Sequence, residues 1–566
     1  MKTKAIIEYG AMDVTAKADS TLSATDKQNF STPNNIKLDP TETKYSTLEH
    51  NYFALDGSFT NMPSNVGNVG YWSLSKTGAN KEFTTPLTLT INFTKNHSSV
   101  GLTLTFSQYS YCTQLKISYY DSNNTLLSEE TFTPDSYEYF CEDIVANYRK
   151  IVITFYKTNE ANRYLKLYRI KYGKTIIFEG DNLVSANLCE ELDPLGDELS
   201  INTLDFVSFA TDDKFNILNP QGAFVAFQKT QTLKAYKVAD DVLTDMGTFY
   251  LESWENKSEK SMEIRGIDAI GIMDKIEFNG GIYSNMSAVT LIESIFAKAN
   301  ITAYTIEDIT SDTITGYLPI CTCREALQQI LFTLGAVADC SRSDTIRIYK
   351  LTEAEEPNEI TSSQILQNTK EIKQTEIVTG VSVTTHSYKL KIATDTIYEE
   401  NLTAGTYKVI FNQPCSDLAI TGGSIIESGV NYAIINATGS SSASSKYRGN
   451  KTVTITGSTY DDLTNTVTIT DGEYHDVENI LTISDCTLIN GANANTIATR
   501  VLNYYQGSYK DTMNIILDDE KVGDNVLAEK SEVNQLNGFV TKLDIDMTGG
   551  FLAKTEIMAK VEEVDG

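Results

Sequence analysis

The chain has 566 residues and a formal net charge of −29, with 46 basic and 75 acidic side chains. A protein that holds nucleic acid neutralises phosphates with clustered Lys and Arg, so this acidic excess argues against specific nucleic-acid binding. The length predicts about three to five domains, and the 31 Tyr together with many Thr-bearing segments favour β-structure.

Neither secretion nor membrane insertion is indicated. The first nine residues, Met1–Tyr9, hold no apolar run of signal-peptide length, and no stretch of about 18 uncharged apolar residues occurs. The eight Cys are dispersed, and only Cys321 and Cys323 lie close together, so we expect reduced thiols without a disulfide framework or a zinc site. The chain is expected to be made and kept in cytosol-like solvent.

The first two predicted domains are a polar N-terminal arm, residues 1–50, and a β-sandwich, residues 51–175. The arm lacks any hydrophobic period and is expected to order only on a partner. The sandwich region holds short alternating runs such as Leu87–Phe93 and Ile151–Phe155. Period two predicts strands with one face inward, and their arrangement is typical of a jelly-roll-like sandwich.

The sandwich contains the candidate binding residues of the chain. Leu55–Phe59, Tyr71, Trp72 and His97 follow the order seen in galactose-binding-like sandwiches, a resemblance of pattern. Aromatic rings with a polar neighbour suit the apolar face of a sugar, so Tyr71, Trp72 and His97 are candidate glycan ligands. The alternative is that these three side chains pack inside or at the rim of the sandwich.

The next predicted domains are a first β-barrel, residues 176–281, and a small α/β element, residues 282–352. In the second of these, Ser287 precedes an amphipathic helical pattern. A capping box at Thr322–Glu325 predicts a second helix, which ends at Gly335. The predicted buried positions of the two helices are Val289, Ile292, Ile295, Phe296, Ala299, Ala326, Leu327, Ile330, Leu331 and Leu334. A hairpin around Ser341–Asp344 is expected to pack on both helices.

The remaining residues, 353–566, predict a second β-barrel with an inserted β-domain at about 395–490. A helix is predicted at about Asn495–Tyr505 from its apolar face. The final strands, with tight turns between them, are expected to close the barrel. The fold class is therefore mainly β with a small α/β element: an N-terminal jelly-roll-like sandwich followed by two barrel-like domains.

The order of these elements resembles the tail hub, or tail-tip, proteins of long-tailed bacteriophages and of phage-like particles of Gram-positive bacteria. The resemblance covers roughly residues 176–566 and is structural rather than catalytic. It is carried by the following segments: Asp193–Leu195, Asn202–Phe206, Lys214–Pro220, Gly247–Leu251, Gly266–Asp274, Gly316–Ile320, Arg324–Leu327 and Lys521–Asp524.

The resemblance implies a function in assembly. Family hubs use two barrel-like domains per chain, and three copies form a ring that joins the tail tube to the tip. It implies a homotrimer whose partners are tail tube and distal tail proteins above, and spike or fibre proteins below. The expected location is the virion tail, assembled in the host cytoplasm. The sandwich and the inserted domain depart from the family pattern, and a host cell-surface glycan is a further candidate partner through the sandwich.

No arrangement for catalysis, a cofactor or a metal emerges from the sequence. Acidic pairs such as Glu190-Glu191, Asp240-Asp241 and Glu399-Glu400 are candidates for the general acid and base of a cell-wall hydrolase, but neighbours on a strand point to opposite faces, so we expect them to be solvated. Asp518–Glu520 lacks the alternating spacing of a calcium loop and is predicted to be a solvated turn. Three hypotheses stay open: a structural hub, a glycan-binding tail protein and a tail-associated peptidoglycan hydrolase.

Overall fold

A computed structural model describes residues 3–38, 40, 45–47, 49, 52, 56–57, 59, 69–209, 231–239, 242–258, 260–439, 451–530 and 534–563. It is mainly β, with 57% strand, 11% helix and curled half-barrel sheets, which confirms the predicted fold class. The predicted segment Lys214–Pro220 and the Asp240-Asp241 pair lie outside the described residues.

The helices carry the labels α1 to α5 in chain order. Two short 3-10 helices lie at Pro33–Leu38 and Gly180–Asn182. The α-helices of the described chain are α1 Val14–Asp19, α2 Ala269–Met273, α3 Ala288–Ala299, α4 Cys323–Leu334 and α5 Ala494–Tyr505.

The strands carry the labels β1 to β35. Those that precede α3 are β1 Thr3–Met12, β2 Thr21–Ala24, β3 Tyr71–Lys76, β4 Glu82–Phe106, β5 Cys112–Tyr120, β6 Leu126–Phe132, β7 Glu138–Thr158, β8 Tyr164–Lys171, β9 Gly173–Glu179, β10 Leu183–Glu191, β11 Thr203–Phe209, β12 Thr232–Ala239, β13 Val242–Ser258, β14 Ser261–Ile267, β15 Glu277–Phe278 and β16 Gly281–Ser287.

The strands after α3 include both short connecting strands and the long pairs of the C-terminal region. They are β17 Tyr304–Ile306, β18 Thr313–Leu318, β19 Cys321–Thr322, β20 Val337–Asp339, β21 Ile346–Tyr349, β22 Asn358–Glu359, β23 Glu371–Gln374, β24 Gly380–Leu390, β25 Asp395–Leu402, β26 Gly405–Ile410, β27 Cys415–Thr421, β28 Gly423–Ser428, β29 Tyr432–Ala437, β30 Lys451–Thr470, β31 Ile480–Ile483, β32 Ser508–Ile516, β33 Asn525–Lys530, β34 Asn534–Asp546 and β35 Leu552–Glu563.

The chain divides into two compact units. The sandwich unit comprises Glu8–Phe178 with Leu218–Thr232, and the sheet unit comprises Met1–Ile7, Glu179–Ile217 and Leu233–Gly566. In the sandwich unit the strand order is β3-β8-β4-β7-β5-β6, and β2 pairs with β4. Alternate residues of these strands face one apolar core, as the period of two predicts.

The prediction that residues 1–50 order only on a partner is wrong for residues 3–38. Asp13 caps α1 by accepting a hydrogen bond from Ala16 N at 3.0 Å, and β2 pairs antiparallel with β4. Ala16, Leu22 and Ile36 are buried in the core of the sandwich unit. A six-residue helix and a four-residue strand are too short to give a readable hydrophobic period, so this order could not be seen in the sequence.

One curled sheet dominates the sheet unit. Its strand order runs β23-β32-β35-β34-β10-β11-β14-β13-β12, and β33 pairs with β34. The strands of the two predicted barrel regions are therefore joined along a single sheet, through the antiparallel pairing of β10 with β34. On each side of this junction lies a group of strands: β10, β11, β14, β13 and β12 on one side, and β34, β35, β32 and β23, together with β33, on the other.

The α/β element has the helices and the hairpin that the sequence predicts. Ser287 caps α3, Thr322 and Glu325 form the capping box of α4, and Gly335 ends α4 with φ 68°. Leu334 and Val289 are only half-buried, whereas the other predicted helix positions are buried. The same core extends to β24 and α5, so it crosses the predicted boundary at residue 353.

The inserted region has a small core of its own. β26, β28 and β29 form a three-stranded sheet, and β25 and β27 both pair with β30. Their inward-facing side chains form a separate apolar cluster: Val409, Phe411, Cys415, Ala433, Ile435, Ala437, Val453 and Ile455. The long strand β30 then leaves this cluster and continues in pairing with β24.

The capping box gives a first testable prediction. Thr322→Ala removes the side-chain oxygen that accepts the Glu325 amide at 3.1 Å, and we expect it to lower the free energy of unfolding by about 1 kcal/mol. Chemical denaturation of the full chain measures this change. The matched control is Thr310→Ala, at an exposed position outside the helices, which should change stability little. An equal loss in both variants would contradict the role of the capping box.

Candidate assembly surface

A buried ion pair joins the large sheet to the α/β element. Arg342 lies in the turn between β20 and β21, and Glu190 lies near the end of β10. Arg342 Nε donates to Glu190 Oε1 at 3.0 Å and Nη2 donates to Oε2 at 3.1 Å, a two-pronged contact. The two side chains are only 5% and 1% exposed. Nη2 also donates to the backbone oxygen of Glu520 at 2.8 Å, which ties in the loop before β33.

The two carboxylates of the Glu190-Glu191 doublet differ in burial, unlike the sequence prediction. Glu191 is exposed, and its carboxylate lies 3.6 Å from Lys542 Nζ, but Glu190 is buried. The prediction that both are solvated is therefore wrong for Glu190, because strand alternation turns it to the inner face, where Arg342 meets it. Burial raises the pKa of the Glu190 carboxyl, and the charge of Arg342 counters that rise.

The two other acidic segments behave as the sequence predicts. Glu399 and Glu400 are exposed on β25. Asp518 and Asp519 are exposed, and Glu520 accepts a hydrogen bond within the turn from Asp518 N at 2.9 Å and one from the distant Gln364 Nε2 at 2.5 Å. Among the described residues, no group of three or more His, Cys, Asp or Glu side chains is placed to hold a metal ion.

A second buried network lies beside the ion pair. Asp268 caps α2 by accepting from Gly271 N at 2.8 Å, and it also accepts from Asn202 N at 2.8 Å and from Cys340 Sγ at 3.2 Å. Asn202 Nδ2 in turn donates to Ser341 Oγ at 3.1 Å. Burial raises the pKa of Asp268 to about 6, although these hydrogen bonds oppose the rise.

The networks bring together segments that are far apart in the chain. Asn202 and Asp268 belong to two of the segments that carry the resemblance stated above, and Ser341 and Arg342 belong to the predicted hairpin turn. Sequence analysis found no signal for the pairing of Glu190 with Arg342, because nothing local distinguishes a paired buried charge from a solvated one. The ion pair and the hydrogen-bond network together hold β10 against the α/β element.

The face of the large sheet opposite its core is polar. One cross-strand row places Thr512, Glu556, Lys542 and Glu191 side by side on β32, β35, β34 and β10. Lys510, two residues before Thr512 on β32, places its Nζ 2.6 Å from Glu556 Oε2. Cross-strand pairs of opposite charge stabilise a sheet surface modestly and keep its solvated face hydrophilic.

A second row continues the polar face across the junction. It runs through Asp546, Asn187, Asp205 and Arg265 on β34, β10, β11 and β14. Arg265 Nε lies 3.3 Å from Glu252 Oε2 and its Nη1 lies 3.8 Å from Asp205 Oδ1. Burial raises the pKa of Asp205, and Arg265 counters the rise. The polar face therefore extends over both strand groups and is suited to a hydrated surface.

A shallow groove marks this row. Its volume is about 330 Å³, and Asp205, Glu263 and Asp546 contribute carboxylates to its lining. The acidic side chains here agree in sign with the excess of acidic residues in the whole chain. Lys257 pairs with Glu263, and Arg265 lies beside Asp205, so the groove is polar and carries charges of both signs.

The predicted glycan residues are buried in the sandwich unit. Tyr71 is 0%, Trp72 1% and His97 5% exposed. Trp72 packs edge-on against Phe30 and Tyr45, with ring centroids 5.5 and 5.7 Å apart. A buried ring offers no face to a sugar, so these side chains do not form an exposed platform, and the alternative of packing describes their positions.

His97 holds the N-terminal helix against β4. Its Nδ1 lies 2.8 Å from Asp13 Oδ2 and its Nε2 lies 2.9 Å from Asp19 Oδ2, at the two ends of α1. Hydrogen bonds from Thr94 and from His97 hold the pKa of Asp19 below its ordinary value. The imidazole therefore serves as a bridge inside the sandwich unit.

The ion pair gives a prediction with a matched control. Arg342→Met leaves Glu190 buried without its cation, and we expect a loss of about 3–5 kcal/mol in the free energy of unfolding. Arg347→Met breaks the exposed pair of Arg347 with Glu307, in which the two side chains are 54% and 47% exposed. This variant should lower the free energy of unfolding by at most about 1 kcal/mol. Chemical denaturation measures both. Adding Glu190→Met to Arg342→Met should recover part of the loss, and similar losses for the two single variants would contradict the assignment.

Asp268 gives a prediction on pH. Its pKa in the folded chain is raised to about 6 from 3.8, so the folded state binds a proton that the unfolded state releases between these values. The stability that native Asp268 contributes is therefore largest at low pH and falls as pH rises through about 6. Relative to Asp268→Asn, which cannot titrate, the native chain should gain about 1 kcal/mol on going from about pH 7 to about pH 5.

Unfolding measurements at both pH values test this expectation. Glu293→Gln, at an exposed position of α3, is the control and should show a constant difference from the native chain. A constant difference for Asp268→Asn would contradict the raised pKa.

No helix of the described part of the chain is long and apolar enough to cross a membrane.

No protein-family model and no curated protein matches the chain. Among solved structures, it is similar to the tail protein from Neisseria meningitidis MC58, with 11% identity and a TM-score of 0.39 over 69% of this chain and 94% of that chain.

Two further solved structures are similar to this chain over an equal or a smaller share of its length. A prophage tail protein from Listeria monocytogenes EGD-e has 10% identity and a TM-score of 0.37, over 69% of this chain and 91% of that chain. The family 32 CBM from C. perfringens NanJ, in complex with galactose, has 15% identity and a TM-score of 0.18, over 29% of this chain and 97% of that chain. The solved structures that this chain resembles thus include tail proteins, but at such low identities and TM-scores the likeness carries no argument about its function.

Proposed function

We propose that this chain is a structural component of the tail of a phage or phage-like particle of Gram-positive bacteria, and that three copies form a hub ring. The observation that carries the proposal is the junction of β10 with β34, which joins two groups of strands along one curled sheet. The segments that resemble tail hub proteins include Asn202–Phe206 and Gly266–Asp274. These two segments are linked by the buried hydrogen bond from Asn202 N to Asp268.

The two strand groups support a trimer through symmetry. Three chains that each carry two strand groups would present six such groups around one axis. A ring of this kind can meet a hexameric tube ring on one side and threefold spike or fibre proteins on the other. The proposed partners are accordingly tail tube and distal tail proteins, together with spike or fibre proteins, and the proposed location is the virion tail.

The polar face and the net charge support a passive role for the ring. A face on which acidic and basic side chains alternate across strands is suited to a hydrated surface, and an acidic excess does not hold phosphate groups. We therefore propose a mechanical rather than a catalytic function. Neither glycan binding through Tyr71, Trp72 and His97 nor peptidoglycan hydrolysis is favoured by any observation on the described residues.

The oligomeric state and the location of the chain test this proposal. We expect the purified full chain to sediment at three times the chain mass in analytical ultracentrifugation, because ring closure needs three copies. We also expect antibody-labelled electron micrographs of purified particles to show it where the tail tube meets the tip. A chain that stays monomeric at high concentration and is absent from particles would contradict the proposal.

The same preparation separates the alternative functions. A zymogram on bacterial cell walls and a glycan array serve as parallel measurements, and we expect both to be blank. Wall clearing that is lost on substitution of a carboxylate would favour the hydrolase, and glycan binding that is lost on substitution of an exposed side chain of the sandwich unit would favour the receptor-binding alternative.

A further inference from the structure

A groove in the sheet unit runs beside the free edge of a strand. β31 is the last strand in the order β25-β30-β24-β31, and it pairs in parallel with β24 from Gly380↔Ile480 to Val383↔Ile483. Across the part of the chain that the structure describes, no strand pairs with its other edge. An unpaired edge offers a row of backbone donors and acceptors to an added strand.

The groove is large enough for an extended segment. Its volume is about 360 Å³, and it is bounded by β31, the following residues to Cys486, the helices α4 and α5, and the loop at Leu195–Asp197. Leu481 and Ile483 are half-buried and pack on the core of the α/β element, so they give the groove an apolar wall. Gln329 Oε1 accepts from Thr487 N at 3.2 Å, which ties the residues that follow β31 to α4.

Two carboxylates give the groove a negative charge. Asp197 and Asp485 both line it, and no Lys or Arg is among its described lining residues. Burial, together with the charges of Asp193 and Asp485, raises the pKa of Asp197. Arg500 is a nearby cation, but its guanidinium donates to the backbone oxygen of Phe332. The negative charge of the groove is therefore left without a direct counter-ion.

Large apolar side chains are exposed where β31 begins. Ile377 is 59%, Tyr474 89%, Val477 80% and Ile480 39% exposed. The segments that carry them are tied together by Asn479, whose Nδ2 donates to Ile377 O at 2.9 Å. Exposed apolar side chains thus lie near the start of β31, and a carboxylate, that of Asp485, follows its end.

We propose that this groove binds an extended segment of a partner protein that carries both apolar and basic side chains, added as a strand to the free edge of β31. Backbone hydrogen bonds to the edge would hold the segment, and Lys or Arg side chains would pair with Asp197 and Asp485. A second copy of this acidic chain fits the charge of the groove poorly. The proposal does not depend on the hub function, because it concerns a surface of the isolated chain.

A labelled synthetic peptide tests the proposal. Fluorescence anisotropy with the full chain would measure the binding of a peptide of about six residues with alternating Val and Lys, and the Val–Glu counterpart should not bind. The double variant Asp197→Asn/Asp485→Asn should weaken binding of the Val–Lys peptide by about tenfold. The double variant Glu293→Gln/Glu359→Gln removes the same charge at exposed positions outside the groove and should leave binding unchanged.

A second peptide tests strand addition. Methylation of alternate backbone nitrogens in the Val–Lys peptide removes donors for the edge of β31, and should weaken binding by about tenfold. Unfolding temperatures of both double variants show whether each is folded. Absence of binding to the native chain, equal binding by the two double variants, or undiminished binding of the methylated peptide would each overturn the proposal.

Discussion

The sheet unit depends on the burial of a charged pair. Moving a carboxylate and a guanidinium out of water costs several kcal/mol for each ion, and only close, well-oriented contacts offset that cost. Arg342 meets this demand with two bonds to Glu190 and a third to the backbone of Glu520. Any shift of the hairpin turn relative to β10 would leave both charges unpaired, so their positions fix one another.

The neighbouring network extends this constraint to a helix and a second strand. Asp268 takes hydrogen bonds from the first turn of α2 and from Asn202, directly before β11. The end of β10, the start of β11, the start of α2 and the hairpin turn therefore converge on one buried polar region. With that region fixed, strand alternation assigns one face of the large sheet to the core and the other to solvent, and the solvated face is the surface on which the assembly proposal relies.

The parts of the fold that sequence analysis predicted correctly are those with local physical causes. Ser287, Thr322 and Gly335 mark helix ends because a side chain or a left-handed backbone angle satisfies groups within the same turn. The apolar faces of α3, α4 and α5 repeat over three turns, which is long enough to be read. The helix α1 and the strand β2 are shorter than one readable repeat, and the N-terminal arm was therefore assigned wrongly for residues 3–38.

The sequence by itself determined a mainly β chain and its principal helices with their caps, because each of these depends on neighbours within a few residues. Only the tertiary structure decided that Trp72 is covered, that Glu190 is buried beside an exposed Glu191, and that the strands of two predicted barrels share one sheet. The partner of Glu190 lies 152 residues away in the chain. Which of two adjacent carboxylates is buried depends on what packs across such distances, and the local pattern of residue types does not contain that information.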